Sequence, residues 1–127
     1  MRVLLIYSPY TYPHAYALRT ELLGITYLAA AVRAAGHEVS ILDPTINPPI
    51  KLPDGSFFYG GTDEEVRDTI IRQAPDVVGI SCHYVFSHQE AFRIASIVKS
   101  IDSRIITVLG GLYASVYKER PLLDSDA

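Results

Sequence analysis

The chain contains 127 residues, of which 49% are hydrophobic and 20% are charged, and its formal net charge is -3 with histidine neutral. This length and composition are typical of one globular domain with a substantial core, and they exclude a disordered chain. The slight negative charge offers no basic surface to nucleic acid or to an anionic membrane, and no apolar run approaches the roughly 20 residues that cross a bilayer.

The first half of the chain predicts a strand, a helix and a second strand. The apolar run over 2–7 is typical of a strand buried on both faces, and 38–42 predicts the second strand. Between them, apolar residues recur at helical spacing over 23–35, and Gly36 is suited to end that helix.

Two stretches of this half carry no regular pattern. Residues 9–20 are expected to form a loop that presents tyrosine and histidine side chains. Residues 44–61 are rich in proline, glycine and asparagine, and they predict an irregular excursion.

The second half continues the alternation of helices and strands. Thr62 with Glu65, and Ser87 with Glu90, each have the spacing of a capping box, in which side chains close the start of a helix. We predict, in order, a helix, a strand, a helix, a strand and a short helix at 63–73, 77–81, 88–100, 104–109 and 115–123.

This alternation predicts an α/β fold with a doubly wound parallel sheet of flavodoxin or Rossmann type. We expect the strand order 2-1-3-4, with the switch point between strands one and three. The last six residues, 122–127, resemble the approach to a fifth strand that is truncated. We therefore interpret residues 1–127 as one domain of a longer protein. Its fourth strand would be an unprotected edge, which could pair with a second copy to form a homodimer.

Two of the predicted strands end in residues suited to a binding site. The strand over 77–81 runs into Cys82 and His83, and the strand over 104–109 runs into Gly110 and Gly111. Both ends open on the carboxyl edge of the sheet, where α/β proteins bind ligands, and paired glycines there leave backbone accessible. The alternative is that the glycines form only a strand-to-helix turn and that Cys82 is a small buried hydrophobe.

Three segments in series, 24–43, 76–82 and 108–115, carry a family resemblance. They resemble the cobalamin-binding domain that precedes the catalytic barrel of class B radical S-adenosylmethionine enzymes. This Fe-S oxidoreductase family includes the anaerobic magnesium-protoporphyrin ester cyclases. The resemblance implies a corrin ring on the carboxyl edge of the sheet, with its nucleotide tail entering beside strands one and three.

The same resemblance implies a partner, the radical S-adenosylmethionine barrel of the full-length chain. That barrel would hold a [4Fe-4S] cluster and S-adenosylmethionine. Because Cys82 is its single cysteine, this chain cannot hold the cluster itself. We therefore interpret it as the non-catalytic, cofactor-binding part of such an enzyme.

The resemblance also implies a set of cofactor-binding residues, which are Ser8, Pro9, Tyr10, His14, Ser81, Cys82, His83, Gly110, Gly111 and Tyr113. Methionine-synthase-like domains use an Asp-x-His-x-x-Gly pattern whose histidine ligates cobalt from below. His14 occupies the histidine position and is a possible cobalt ligand, but Tyr12 and Ala17 replace the aspartate and the glycine. His83 is the better candidate for the lower face of the corrin, because it is expected to face the crevice.

Two other functions stay open on the sequence. One is a flavodoxin-like regulatory or interaction domain without a cofactor, and the other is a glycosyltransferase N-terminal domain that binds a nucleotide sugar. Binding of NAD is disfavoured, because strand one is followed by Ser8 and Pro9 and not by a glycine-rich phosphate loop. The side chains of 10–16 fit either an interface or an apolar lid over a flat macrocycle. A single cysteine and the absence of a signal-peptide pattern predict a cytoplasmic location.

Overall fold

The computed structural model of the protein describes residues 1–15 and 22–125. Within these ranges the chain forms seven strands and five α-helices. None of the described helices is long and apolar enough to span a membrane. The strands are β1 (Arg2–Tyr7), β2 (Tyr10–Tyr12), β3 (Glu38–Leu42), β4 (Ile50–Lys51), β5 (Phe57–Tyr59), β6 (Val77–Ser81) and β7 (Ile106–Gly110). The helices are α1 (Leu23–Ala34), α2 (Asp63–Gln73), α3 (His88–Ile101), α4 (Leu112–Tyr117) and α5 (Arg120–Leu123).

Four of the strands form a parallel sheet in the order β3-β1-β6-β7. Counted over these four strands, this is the predicted order 2-1-3-4, and it confirms the doubly wound α/β class. The switch point lies between β1 and β6, where the direction of strand order reverses. In the part of the chain that the structure describes, β7 is an edge strand.

Alternate residues of the parallel strands enter two separate cores. Leu4 of β1 and Ile80 of β6 pack with the buried faces of α2 and α3. Leu5 points to the opposite face and packs with Ile25 of α1. Because α1 packs mainly over β1 and β3, β7 is left open on that face, and Val108 is 50% exposed.

A second, antiparallel sheet has the order β2-β5-β4 and begins three residues after the end of β1. Its register pairs Tyr10 with Tyr59 and Tyr12 with Phe57. The predictions of a plain loop after β1 and of an irregular excursion over 44–61 are therefore wrong for these three strands; residues 16–21 lie outside the described ranges. Strands of two or three residues are too short to show an alternating pattern, and their partners here are distant in sequence.

The two predicted capping boxes have different outcomes. At α2 the box is present: the Thr62 hydroxyl accepts a hydrogen bond from the Glu65 N–H (3.2 Å), and the Glu65 carboxylate accepts one from the Thr62 N–H (2.9 Å). At α3 the prediction is wrong. Ser87 is buried in a short 3-10 turn, and its hydroxyl donates to the carbonyl of Tyr84 (2.8 Å) instead of capping the helix.

The end of the described chain forms two short helices where one was predicted over 115–123. α4 begins directly after Gly111, whose φ of 89° turns the chain out of β7. Lys118 takes a φ of 52° and separates α4 from α5. Gly36, with a φ of 86°, follows α1 as predicted.

Candidate functional site

A crevice opens between the start of α1 and the carboxyl half of the parallel sheet. Its main part has a volume of about 310 Å³, and it continues into a smaller cavity of about 240 Å³. Gly24, Ile25, Ser81 and His83 border both parts. The remaining lining residues are Leu5, Leu28, Gly79, Ile80, Val108, Gly110 and Gly111 in the main part and Tyr7, Leu22 and Leu23 in the smaller one. A volume of this size suits a substantial part of a large ligand.

Two rows of residues across β1, β6 and β7 form the sheet wall of this crevice. The register places Leu5, Gly79 and Val108 in a lower row and Tyr7, Ser81 and Gly110 in an upper row. Successive rows on one face of a sheet are roughly 7 Å apart along the strands. The upper row therefore lies at the rim of the crevice, and the lower row lies one step farther from the carboxyl edge of the sheet.

Three glycines shape the crevice because they carry no side chain. A Cβ atom on Gly24 would meet nothing within 4 Å, and one on Gly110 would come only within 4.0 Å of the Ile80 carbonyl oxygen. A Cβ atom on Gly79, in the middle of the lower row, would lie 2.8 Å from Leu5 Cδ2. None of the three has a left-handed φ, so their backbone conformation does not require glycine. Side chains at these positions would occupy the crevice.

Gly111 is a glycine for a different reason. Its φ of 89° lies in the left-handed region, and a Cβ atom on it would lie 2.5 Å from the carbonyl oxygen of Cys82. The interpretation of the glycine pair as a simple strand-to-helix turn therefore applies to Gly111. It does not account for Gly110, whose side-chain position is open space.

Polar groups lie at the rim of the crevice. Ser81 and His83 are the polar side chains in the described lining of the main part. His83 is exposed, and its ring packs edge-on against Tyr84 with the ring centroids 4.9 Å apart. Among the residues that the structure describes, no side chain caps the start of α1, and the first turn of the helix contains no acidic residue. Because Leu22, Leu23 and Gly24 line the crevice, the positive end of the α1 dipole lies beside it.

Three of the predicted site residues, Ser8, Pro9 and Tyr10, are buried where β1 passes into the second sheet. The Ser8 N–H donates to the Ser81 carbonyl (3.1 Å). Tyr10 stacks on Tyr59 with ring centroids 5.2 Å apart, and burial raises the pKa of its phenol. These residues support the rim from behind and do not line the crevice.

Comparison with known protein families identifies the family of this chain. The family described as the B12 binding domain matches residues 15–125. This chain belongs to the B12-binding domain family. That membership confirms the family resemblance drawn from the sequence.

Two curated relatives resemble this B12-binding domain. Cytidylyl-2-hydroxyethylphosphonate methyltransferase of Streptomyces wedmorensis is 29% identical over 109 residues, which are 80% of this chain and 20% of that protein. Anaerobic magnesium-protoporphyrin IX monomethyl ester cyclase of Rubrivivax gelatinosus is 28% identical over 137 residues, which are 98% of this chain and 21% of that protein. The B12-binding domain thus spans about a fifth of the length of these relatives.

Within the B12-binding domain, Cys82 and Tyr113 face away from the crevice. Both side chains are buried in the core between the sheet and α3. The Cys82 thiol donates to the Tyr84 carbonyl (3.3 Å), and burial raises the pKa of that thiol. The Tyr113 ring stacks on His88 with centroids 4.8 Å apart. Cys82 is therefore the small buried side chain of the alternative interpretation, and the structure gives neither side chain a place in the crevice.

His14 lies in the exposed segment after β2 and not in the crevice lining. Its carbonyl accepts a hydrogen bond from the Tyr59 hydroxyl (3.1 Å), and its ring packs edge-on against Tyr12 with centroids 5.9 Å apart. Among the residues that the structure describes, no group of three or more histidine, cysteine, aspartate and glutamate side chains is arranged to hold a metal ion. A role for His14 as a cobalt ligand stays a prediction.

Sequence reasoning missed much of the apolar lining of the crevice. The missed residues are Leu5, Gly24, Ile25, Leu28, Gly79 and Val108. One sequence signal could have indicated part of this lining, namely glycine at positions where it weakens a helix or a strand. Gly24 lies in the first turn of a helix, and Gly79 interrupts the β-branched run of a central strand. Glycine inside a strand weakens it and often marks the close approach of a ligand.

Proposed function

We propose that this B12-binding domain holds cobalamin with the nucleotide tail in the crevice and the corrin ring over the carboxyl edge of the sheet. The observation that carries the proposal is the crevice itself, where Gly79 and Gly110 stand at positions whose side chains would block entry. The crevice also adjoins the switch point between β1 and β6, the region where open α/β sheets bind ligands.

The lower row and the start of α1 suit the nucleotide tail. Leu5, Ile25 and Val108 offer apolar surface to a flat base. The first turn of α1, which no described side chain caps, has open space beside Gly24 and suits the phosphodiester of the tail. A helix N-terminus attracts negative charge and presents backbone N–H groups to it.

The upper row and the rim suit the corrin. At Gly110 a ring can approach the backbone closely, and the Ser81 hydroxyl and the His83 imidazole can bond to amide groups on the ring's edge. We propose His83, not His14, as the imidazole nearest the lower face, because His83 borders both parts of the crevice. When bound, cobalamin supplies a cobalt centre that can carry a methyl group, while the chain's own residues hold and orient the cofactor.

We further propose that the domain serves a radical S-adenosylmethionine enzyme of the cytoplasm. The resemblance seen in the sequence supports this, together with relatives that are a methyltransferase and a cyclase and are about five times longer than the matched region. In this proposal, the [4Fe-4S] cluster, S-adenosylmethionine and the catalytic residues belong to a barrel in the remainder of the full-length protein.

For the isolated chain we propose self-association through the edge of β7. Edge strands present unpaired backbone groups to other chains. Two apolar residues of this strand, Ile106 and Val108, are 58% and 50% exposed on the face that α1 leaves open. A second copy paired with this edge would cover Ile106, at the end of β7 away from the crevice, and would leave Val108 in the crevice lining.

Titration with cobalamin, followed by its absorption spectrum, tests the proposed site. We expect saturable binding with conversion to the base-off spectrum, because a base lodged in the crevice cannot also coordinate cobalt. Gly110→Leu should weaken binding by about tenfold or more, since the new side chain fills the crevice. Ser103→Leu is the matched control, because Ser103 is exposed just before β7, at the amino ends of the parallel strands. This variant should bind like the unmodified chain.

Two results would count against this function. Absence of any spectral change at high micromolar cobalamin would overturn it for this chain. Saturable binding of a nucleotide sugar without binding of a corrin would instead favour the glycosyltransferase alternative.

A further inference from the structure

We infer that the crevice selects among cobamides by the base of the nucleotide tail, and that it prefers an apolar aromatic base, such as a benzimidazole or a phenol, over a purine. Cobamides share the corrin ring and differ in this base. The inference rests on the proposed function and concerns the depth and chemistry of the same crevice.

The lower row of the crevice is apolar. The register places Leu5, Gly79 and Val108 at this level, and Ile25 and Leu28 of α1, which belong to the same described lining, are also apolar. Ser81 lies one row higher, roughly 7 Å away along β6, and His83 lies beyond the end of that strand. Since β6 is bonded to β1 on one side and β7 on the other, its backbone groups are engaged within the sheet. A base that reaches the lower row therefore finds packing surface and few hydrogen-bond partners.

The candidate bases differ in what they would leave unpaired at this level. Adenine carries an exocyclic amine and several ring nitrogens, each of which forms hydrogen bonds in water. Dimethylbenzimidazole presents methyl groups on its leading edge, and a phenolic base presents a hydrocarbon ring. A buried polar group without a partner costs enough to reduce affinity on the order of tenfold to a hundredfold. An apolar site rejects such a ligand because its desolvation is not repaid.

Gly79 sets the depth available to the base. It stands between Leu5 and Val108 in the register, and a Cβ atom on it would lie 2.8 Å from Leu5 Cδ2. An alanine there would push Leu5 aside or protrude into the space for the base. Gly79→Ala should therefore penalise the nucleotide tail specifically, and leave contacts at the rim unchanged.

The test is a panel of four ligands measured by calorimetry on the unmodified chain: cobalamin, a cresolyl cobamide, an adeninyl cobamide and cobinamide, which lacks the nucleotide. We expect cobalamin and the cresolyl cobamide to bind tightest, the adeninyl cobamide to bind about tenfold or more weaker, and cobinamide to bind weakest. Equal affinity for the benzimidazole and adenine forms would overturn the inference. So would equal affinity for cobalamin and cobinamide, which would place the tail outside the crevice while the proposed function survived. Failure of all four ligands to bind would overturn the proposed function itself.

Gly79→Ala provides the second arm. We expect its affinity for cobalamin to fall to the level of cobinamide, whose own affinity stays unchanged, while Ser103→Leu keeps the full preference. A Gly79→Ala chain that folds, as judged by circular dichroism, and keeps the preference for cobalamin over cobinamide would contradict the role of Gly79. If the variant does not fold, the ligand panel on the unmodified chain decides the inference.

Discussion

A Cβ atom on Gly111 would lie 2.5 Å from the carbonyl oxygen of Cys82 and 2.8 Å from its carbonyl carbon. The fold uses this close approach. The Cys82 carbonyl accepts a hydrogen bond from the Tyr113 N–H (3.3 Å), and the Cys82 N–H donates to the Gly110 carbonyl (2.9 Å). The ends of β6 and β7 are thereby joined to the start of α4 through backbone that leaves no room for a side chain.

Substitution of the two adjacent glycines should separate stability from binding. Gly111→Ala should lower the free energy of unfolding by about 2–4 kcal/mol, because it adds a left-handed alanine and a backbone clash. Gly110→Ala should change it by less than about 1 kcal/mol, since its Cβ meets open space. Urea denaturation followed by circular dichroism measures both. Equal destabilisation by the two changes would contradict the different roles assigned to these glycines.

Stability should fall at alkaline pH. Burial raises the pKa of the Cys82 thiol above its ordinary value of 9.0 and that of the Tyr7 phenol above 10.0. At neutral pH both groups are protonated in the folded and unfolded states and add no pH dependence. Above it the unfolded chain loses protons that the folded chain keeps, so the free energy of unfolding decreases, by at most about 1.4 kcal/mol per pH unit for each group.

Tyr7→Phe isolates one of these contributions. The variant keeps the ring but removes the phenol, so its free energy of unfolding should decline less steeply above pH 10 than that of the unmodified chain. Urea titrations at several pH values between 8 and 11 would be compared. Identical slopes for the two chains would show that the Tyr7 phenol ionises equally in the folded and unfolded states.

The capping box at α2 gives a prediction about local stability. Thr62→Ala should cost about 1 kcal/mol of unfolding free energy, since it removes the acceptor for the Glu65 N–H. Asp68→Ala, at an exposed position of the same helix, is the control and should have a much smaller effect. A Thr62→Ala chain as stable as the unmodified one would show that solvent replaces the cap without cost.

Self-association through β7 predicts a dependence of size on concentration. Ile106→Lys places a charge on the exposed apolar face of the edge strand and should keep the chain monomeric at concentrations where the unmodified chain associates. Ile71→Lys, on α2 at the opposite face and with Ile71 59% exposed, is the matched control. Sedimentation at two or more concentrations distinguishes them, and an unmodified chain that stays monomeric would contradict the proposal.

The parallel sheet could be predicted from sequence because its strands are long and apolar. Five consecutive apolar residues, as at 3–7 in β1, indicate a strand buried on both faces, and the alternation with helices then restricts the topology. The capping box at Thr62 was also readable, because it depends only on residues three apart. The same spacing at Ser87 led to a wrong prediction, because the buried Ser87 hydroxyl donates to the Tyr84 carbonyl and does not cap α3.

The second sheet and the crevice could not be predicted in the same way. β4 has two residues and β5 has three, so neither shows a period, and each depends on a partner far along the chain. The lower row depends on the register of three strands, which the sequence does not specify. Gly110 and Gly111 are the same residue type, so the sequence does not show that their roles differ. The φ angle of Gly111 and the distance from its Cβ position to Cys82 distinguish them in the structure.

The second sheet also determines where this fold can vary in length. Pairing of β2 with β5 fastens the connection after β1 to the connection after β3, so residues cannot be added within the paired strands without shifting their register. The turn between β4 and β5, which contains Gly55, lies beyond this pairing and is free to lengthen, because each doubling of a flexible loop costs only about 0.6 kcal/mol. Insertions and deletions among homologues should therefore collect at residues 52–56, and peptide tags placed there should leave cofactor binding unchanged.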